Sequence, residues 1–276
     1  MRSSSLIISA PVVSATVISE GLVDSFRADK LNVYVFESRQ QMGKAAAAEV
    51  AAEIRRLISE RGRAIGVFAS APSQSEFLDE LVKAEAADLQ IEWTRVIGFH
   101  LDEHLGADEN APQSHRRFLI NRLVRRVPMA EFHGLRGEAA NPEAVCANYA
   151  ALLKSRPPDF ATLDLGENGR LASINPRGCD FNDSAIVRVA ELDEITSQRQ
   201  VDGQFKDAPR RAISLTIPAI MACPKLFLIA PDAAKQEAVR EMIEGEITTT
   251  CPASILRTHE GARLFLDRDS AARLAR

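Results

Sequence analysis

The chain has 276 residues, 46% of them apolar and 26% charged, with a formal net charge of −4. That balance supports an ordinary globular core and argues against a nucleic-acid binder, which presents a basic face. No apolar run approaches the roughly 20 residues of a membrane-spanning helix, so no membrane partner is expected.

The segment 1–30 reads as an N-terminal extension. Met1 to Ser5 precede an apolar stretch, Leu6 to Ile18, broken by Pro11. Its Ser and Thr content favours a loosely packed extension over a secretory signal. Residues 31–276 read as a single domain. Leu31 to Phe36 is rich in β-branched and aromatic residues and predicts a strand. Ser38 is placed to cap a long Ala-, Glu- and Arg-rich helix from Met42 to Ile58. Ala64 to Ala69 predicts a buried parallel strand. The turn Ser70-Ala71-Pro72-Ser73 follows, with Ser73 expected to cap a helix from Gln74 to Val82. Ile91 to Phe99 predicts a third strand, and Ser114 to Arg126 a basic amphipathic helix. Pro142 to Leu153 carries Pro near the first turn of another helix. Thr162 to Leu165 is a strand closed by Gly166-Glu167-Asn168-Gly169. The stretch from Asn175 to Arg210 is polar and irregular, with one strand expected at Ala185 to Val189. Ala212 to Ile217, Lys225 to Ala230 and Ala262 to Leu266 predict strands, Pro218 to Cys223 one helical turn, and Asp232 to Ile243 a helix. The alternation predicts an α/β fold with a mainly parallel sheet.

Cys146, Cys179, Cys223 and Cys251 lie far apart and form no C-x-x-C pair. Structural zinc is therefore not expected. Isolated cysteines fit a reducing, cytoplasmic compartment better than a disulfide framework.

Three predicted strands end in polar turns: Ser70 to Ser73, His100 to His104 and Gly166 to Arg170. In a parallel sheet all three would project from one edge, where such folds bind ligands. The first turn, ahead of a helix, suits a phosphate or other anion, although a capped helix needs the same residues. Lys235, in the first turn of its helix, could supply a cation. The second turn places Asp102 beside Glu103, flanked by His100 and His104. A carboxylate there could move a proton next to a carbonyl; an acidic surface turn would have the same composition. Gly169 and its neighbours would let a backbone approach a ligand closely.

The run Phe99-His100-Leu101-Asp102-Glu103-His104-Leu105-Gly106, followed by Pro112-Gln113-Ser114-His115-Arg116-Arg117-Phe118, resembles the glucosamine-6-phosphate deaminase family. There a Met/Leu-Asp-Glu-Tyr-x-Gly segment precedes a Pro-x-Ser-Tyr helix start. Leu165 to Ala172 resembles the family's Gly-x-Gly-x-(Asp/Asn)-Gly-His-(Ile/Leu)-Ala loop. Thr248 to His259 resembles the segment before its last strand. The similarity runs from about Leu31 to the C-terminus. The related 6-phosphogluconolactonases share the fold but usually carry Asp-Glu-Arg in the second motif.

The resemblance implies a three-layer α/β/α sandwich around a mainly parallel sheet. It also implies aldose–ketose isomerisation of an amino-sugar phosphate with loss of ammonia, without metal or cofactor. The proton shuttle would fall on Asp102. Ser70, Ala71, Ser73 and Lys235 would hold the phosphate, with Glu103 and Gly169 against the substrate. Family members are often oligomeric, which leaves room for a homo-oligomer.

Three departures stand out in the loop. The family's ring-opening His is Arg170, which cannot shuttle a proton near neutral pH. The acid that assists it is Asn175, and an amide is neither acid nor base. Asn168 stands where the best-known deaminases carry Asp. The phosphate turn also has Ser70-Ala71 in place of Gly-Gly. Two readings therefore compete with a plain deaminase: a catalytically impaired sugar-phosphate-binding protein, and a 6-phosphogluconolactonase-type hydrolase.

Overall fold

The computed structural model describes residues 19–83, 90–193 and 209–275. The apolar stretch Leu6 to Ile18 lies outside the described residues. Strands β1 (Leu22–Ala28), β2 (Leu31–Phe36), β3 (Ala64–Phe68) and β4 (Val96–His100) join β6 (Glu131–His133), β7 (Phe160–Asp164), β10 (Lys225–Ala230) and β11 (Ala262–Asp267) in one sheet. Its order is β1-β2-β11-β10-β7-β3-β4-β6. β1 runs antiparallel to β2, and every other pairing is parallel. A second, antiparallel sheet pairs β5 (Asp102–His104) with β9 (Arg211–Leu215) and β9 with β8 (Val187–Glu191).

Side-chain alternation divides the main sheet into two chemically different faces. Tyr34, Phe36, Phe68, Phe160, Phe227 and Phe265 pack on one side with helix α1 (Arg39–Arg61). That helix presents Ala45, Ala46, Ala47, Val50 and Ala51 to them. Small helix residues let large rings fill the interface, and truncating one such ring to Ala removes about 3–5 kcal/mol of stability. Helices α2 (Ser75–Val82) and α3 (His115–Leu119, continued by a π turn through Val124) cover the same face. Val33, Val67, Leu163, Leu228 and Leu264 face the other way. They meet α4 (Pro142–Ser155), α5 (Ile217–Met221), α6 (Gln236–Glu244) and the small sheet. Burial on both faces explains why the parallel strands read as continuous apolar runs. The result is the expected three-layer α/β/α architecture.

Local signals act as expected at several boundaries. Ser38 Oγ accepts from Gln41 N at 3.3 Å and caps α1, and Gly62 ends it at φ 76°. Asn141 caps α4 just ahead of Pro142. Other boundaries move. The extension expected over 1–30 does not reach residue 30, because Leu22–Ala28 forms edge strand β1. The strand expected from Ile91 is preceded by a 3-10 turn at Trp93–Arg95 and begins at Val96. Ser73 does not cap α2; it sits inside a 3-10 turn, Pro72–Gln74, and its hydroxyl is engaged elsewhere. Lys235 belongs to a 3-10 turn, Ala233–Lys235, just before α6. The strand expected at Ala185 to Val189 starts two residues later, as β8. Residues 194–208 of the irregular stretch lie outside the described residues. No helix among the described residues is long and apolar enough to cross a membrane.

Candidate functional site

β10, β7, β3 and β4 are consecutive, parallel neighbours in the main sheet. Their C-terminal ends therefore deliver Lys235, the Gly166 to Arg170 loop, the Ser70 to Ser73 turn and the His100 to His104 segment to one edge. A cleft of about 270 Å³ opens there. Of the residues singled out by sequence, Ala71, Ser73, Asn168, Arg170 and Lys235 line it, together with Arg39, Asp164, Glu167 and Asp232. Ser70, Asp102, Glu103, Gly169 and Asn175 are not among its lining residues.

The acidic pair is not the turn that the sequence suggests. Asp102 to His104 is strand β5, held by β9. Successive strand residues point to opposite faces, and the two carboxylates part accordingly. Glu103, fully buried, turns to the start of α3. It accepts from Ser114 Oγ (2.8 Å), His115 N (2.9 Å) and Arg116 N (2.7 Å), and from His104 N (2.9 Å). A carboxylate against unpaired N–H groups is the favourable arrangement at a helix start. Glu103 is thus a structural anchor rather than the substrate contact expected of it. Burial raises its pKa, and these hydrogen bonds with the nearby His115 charge offset part of the rise.

Asp102 is 4% exposed. Its Oδ2 accepts from Ser173 Oγ at 2.5 Å, and its Oδ1 lies 3.4 Å from His115 Nδ1. Burial alone would raise its pKa. The His115 cation and the hydrogen bonds from His115 and Ser173 outweigh that and hold the carboxyl well below the usual carboxylate range. Burial likewise disfavours the His115 cation, but Asp102 and Glu103 lift its pKa to about 9. At His100 and His104 burial outweighs the upward pull of Asp102, and it pushes both down to about 3. The cluster therefore holds one charged imidazole, beside Asp102, and two neutral ones. His115 was missed as a site residue; the signal was present, since it stands at the Tyr position of the helix-start motif.

The loop after β7 forms its own network. Asn168 Nδ2 donates to Asn175 Oδ1 at 3.3 Å and to Asp193, and Asn168 Oδ1 accepts from Arg170 N at 3.1 Å. Asn175 Nδ2 donates to Glu191 O at 2.8 Å. Asp193, which follows β8, brings a carboxylate to a loop whose own positions carry amides. The guanidinium of Arg170 donates to Ala172 O. Gly169 is needed as glycine: its φ is 79°, and a Cβ there would meet Cys251 Sγ at 2.8 Å.

The Ser70 to Ser73 turn holds a surprise. Ser73 Oγ donates to Asp164 Oδ1 at 2.5 Å, and Lys235 Nζ pairs with the same oxygen. Asp164 ends β7, two residues before Gly166, where the Gly-x-Gly motif has its first glycine. That departure was legible in the sequence, but its consequence is spatial. Ser70 Oγ, by contrast, is buried and lies 3.4 Å from His100 Nε2. Asp232, across the cleft, holds a φ of 92° with its N–H on Asp267. Such a backbone is uncommon outside glycine and is typical of residues held in place at a site. Among the described residues, no group of three or more His, Cys, Asp or Glu could hold a metal ion.

Known proteins carry the same architecture. A glucosamine-6-phosphate deaminase of an Exiguobacterium species is 34% identical over 198 residues, 71% of this chain and 75% of the relative. The glucosamine-6-phosphate deaminase of Lactobacillus delbrueckii subsp. bulgaricus is 27% identical over 88% of this chain and all of its own length. Among solved structures, a monomeric glucosamine-6-phosphate deaminase superposes with a TM-score of 0.78 at 24% identity, covering 87% of this chain and 98% of that one. The 6-phosphogluconolactonase of Trypanosoma brucei gives 0.73 at 20% identity, covering 88% and 98%. Residues 37–265 match the family described as Glucosamine-6-phosphate isomerases/6-phosphogluconolactonase, and the chain belongs to that family.

Proposed function

We propose that this chain is a glucosamine-6-phosphate deaminase-type enzyme, with Asp102 as the base of an aldose–ketose isomerisation. The observation that carries the reading is Asp102 itself: buried, ionised and held between Ser173 and His115. In the reaction, Asp102 takes the proton from C2 of the open-chain amino sugar and returns it at C1. As O1 takes up a proton to become a hydroxyl and the amine gives one up, the C–N bond at C2 becomes an imine; water adds to it and ammonia leaves, giving the ketose. His115 keeps Asp102 charged between turnovers and is the nearest group able to act as an acid. The natural sugar phosphate is a small molecule that enters by the cleft, with its anionic end toward Ala71, Ser73 and Lys235. Ammonia release from glucosamine 6-phosphate, with loss of that release in Asp102→Asn, tests the reading. No release from any amino-sugar phosphate, together with no effect of Asp102→Asn on any activity, would sink it.

A second reading is favoured by one observation. By the motif resemblance, Arg170 and Asn175 stand where the family carries proton-transfer groups, and neither can be one. A sugar-phosphate-binding protein without turnover would show ligand-induced thermal stabilisation alone. Arg170→His with Asn175→Asp separates the two: gained ammonia release marks a decayed site, and lost activity marks a repurposed one.

A further inference from the structure

We propose that Arg39 is a specificity-determining residue of the cleft, a second cation that seats the phosphate of the sugar phosphate beside Lys235. The inference rests on the reading above that Ala71, Ser73 and Lys235 form the anion end. Arg39 is the first residue of α1, directly after the Ser38 cap. A cation there opposes the helix macrodipole, so its charge does nothing for the start of α1. Its side chain crosses instead to the turn between β3 and α2, where it lines the cleft. Nη2 donates to Pro72 O at 2.7 Å, between Ala71 and Ser73, and Nε lies 2.7 Å from Glu76 Oε2.

These contacts orient the guanidinium without using it up. Of the five N–H donors of an arginine, both on Nη1 and one on Nη2 make no hydrogen bond among the described residues. Asp232 Oδ2 stands 3.9 Å from Nη1, an ion pair beyond hydrogen-bond reach. The Asp232 side chain is 55% exposed, so water competes for it and an arriving phosphate oxygen can take its place. A planar fork anchored on one side and open on the other suits two oxygens of one phosphate, and such charge-assisted pairs are the strong ones. Lys235 brings a point charge that it shares with Asp164. Arg170, the third cation of the lining, turns to Ala172 O on the loop after β7. Arg39 is thus the guanidinium fixed at the Pro72 turn with donors left to give. It meets the phosphate and not the reacting carbons, so its effect falls on affinity.

Calorimetric titration of the full chain, of Arg39→Gln and of Arg39→Met tests this, with inorganic phosphate, glucosamine 6-phosphate and glucosamine as probes. Arg39→Gln keeps an N–H₂ for Pro72 O and removes the charge; Arg39→Met removes both. Both variants should bind inorganic phosphate and the 6-phosphate about tenfold to a hundredfold more weakly. Glucosamine should stay within about threefold of the natural protein, and the loss should shrink at high salt. In turnover the same loss should fall on KM rather than kcat. Unchanged phosphate binding in Arg39→Gln would overturn the proposal, leaving Arg39 as a tether for the Pro72 turn. An equal loss for glucosamine in both variants would also overturn it, because Arg39 would then shape the whole cleft. A natural protein that binds neither phosphate probe overturns it together with the anion-end reading beneath it. Lost phosphate affinity in a protein that releases no ammonia would sustain the proposal while the deaminase reading falls. Ammonia release with an unaltered KM in both variants would do the reverse.

Discussion

Two carboxylates at the same sheet edge are held in the same way and differ in consequence. Asp102 is held by Ser173 and a His115 cation; Asp164 is held by Ser73 and the Lys235 cation. In each case one serine hydroxyl sits 2.5 Å from a carboxylate oxygen. Around Asp102 the arrangement preserves a charged carboxylate, the proposed base, in a buried place where it would otherwise neutralise. Around Asp164 it occupies Ser73 and Lys235, the two groups of the proposed anion end. The contrast teaches that a buried Ser–acid–cation group has no function of its own. What decides is whether the acid or its cation is the partner a ligand needs.

The largest expected effect breaks the first half of that comparison. Asp102→Asn keeps the shape and removes the carboxylate proposed as the base. Loss of a proton-transfer group costs about 10²–10⁴-fold, read as ammonia release from glucosamine 6-phosphate. Affinity for inorganic phosphate should stay within about threefold, since Asp102 is not among the cleft's lining residues. If both fall together, the two corners are one coupled site and the comparison fails.

How much of this was legible in the sequence follows from where the information lies. The strands β2, β3, β7, β10 and β11 could be read directly, because burial on both faces writes a continuous apolar run. β1 could not: as an edge strand it alternates Leu22 and Phe26 with Asp24, Ser25 and Arg27, and it resembles a polar tail. β5 was hidden because Asp-Glu-His has the composition of a turn, and only pairing with β9, about a hundred residues on, makes it a strand. That pairing is what separates Asp102 from Glu103. Adjacent in sequence, both are expected at the substrate, Asp102 as the proton shuttle and Glu103 as a contact. Asp102 and Lys235 could be proposed from motif position, but Asp164 looked like the end of a strand until the fold set it between Ser73 and Lys235.

Glu103 sharpens this point by stability rather than rate. Glu103→Gln puts an amide N–H₂ among backbone N–H donors and unpairs the start of α3. The expected loss is about 3 kcal/mol in chemical denaturation. The reaction rate per folded molecule should change little. A rate loss approaching that of Asp102→Asn, in protein of unchanged stability, would restore Glu103 to the chemistry.

His115 is next. Its pKa, raised from 6.5 to about 9, stabilises the fold fully below 6.5 and loses that contribution as pH rises through about 9. Asp102 is shifted the other way, so its share is present above the ordinary carboxylate pKa and lost on acidification. The pair is therefore worth most between those limits. His115→Asn should lower activity about tenfold or more at neutral pH. It should also remove the basic limb expected of the natural protein near pH 9. A basic limb unchanged in the variant would assign that titration to another group.

The smallest expected effect discriminates most finely between the two carboxylates, because it changes only their serines. Ser173→Ala removes one hydrogen bond to ionised Asp102 but leaves His115 in place. The acid limb of the rate profile should then move up toward the ordinary carboxylate range, with a loss of about tenfold or less at neutral pH. Ser73→Ala makes the corresponding change at Asp164, a group with no place in the proton transfer. It should leave the acid limb where it is and alter only affinity for the phosphorylated probe, by a few-fold at most. A serine can tune the pKa of the acid it contacts, yet that tuning reaches the rate only where the acid carries the proton. Matching shifts of the acid limb in both variants would place Asp164 with Asp102 in the chemistry.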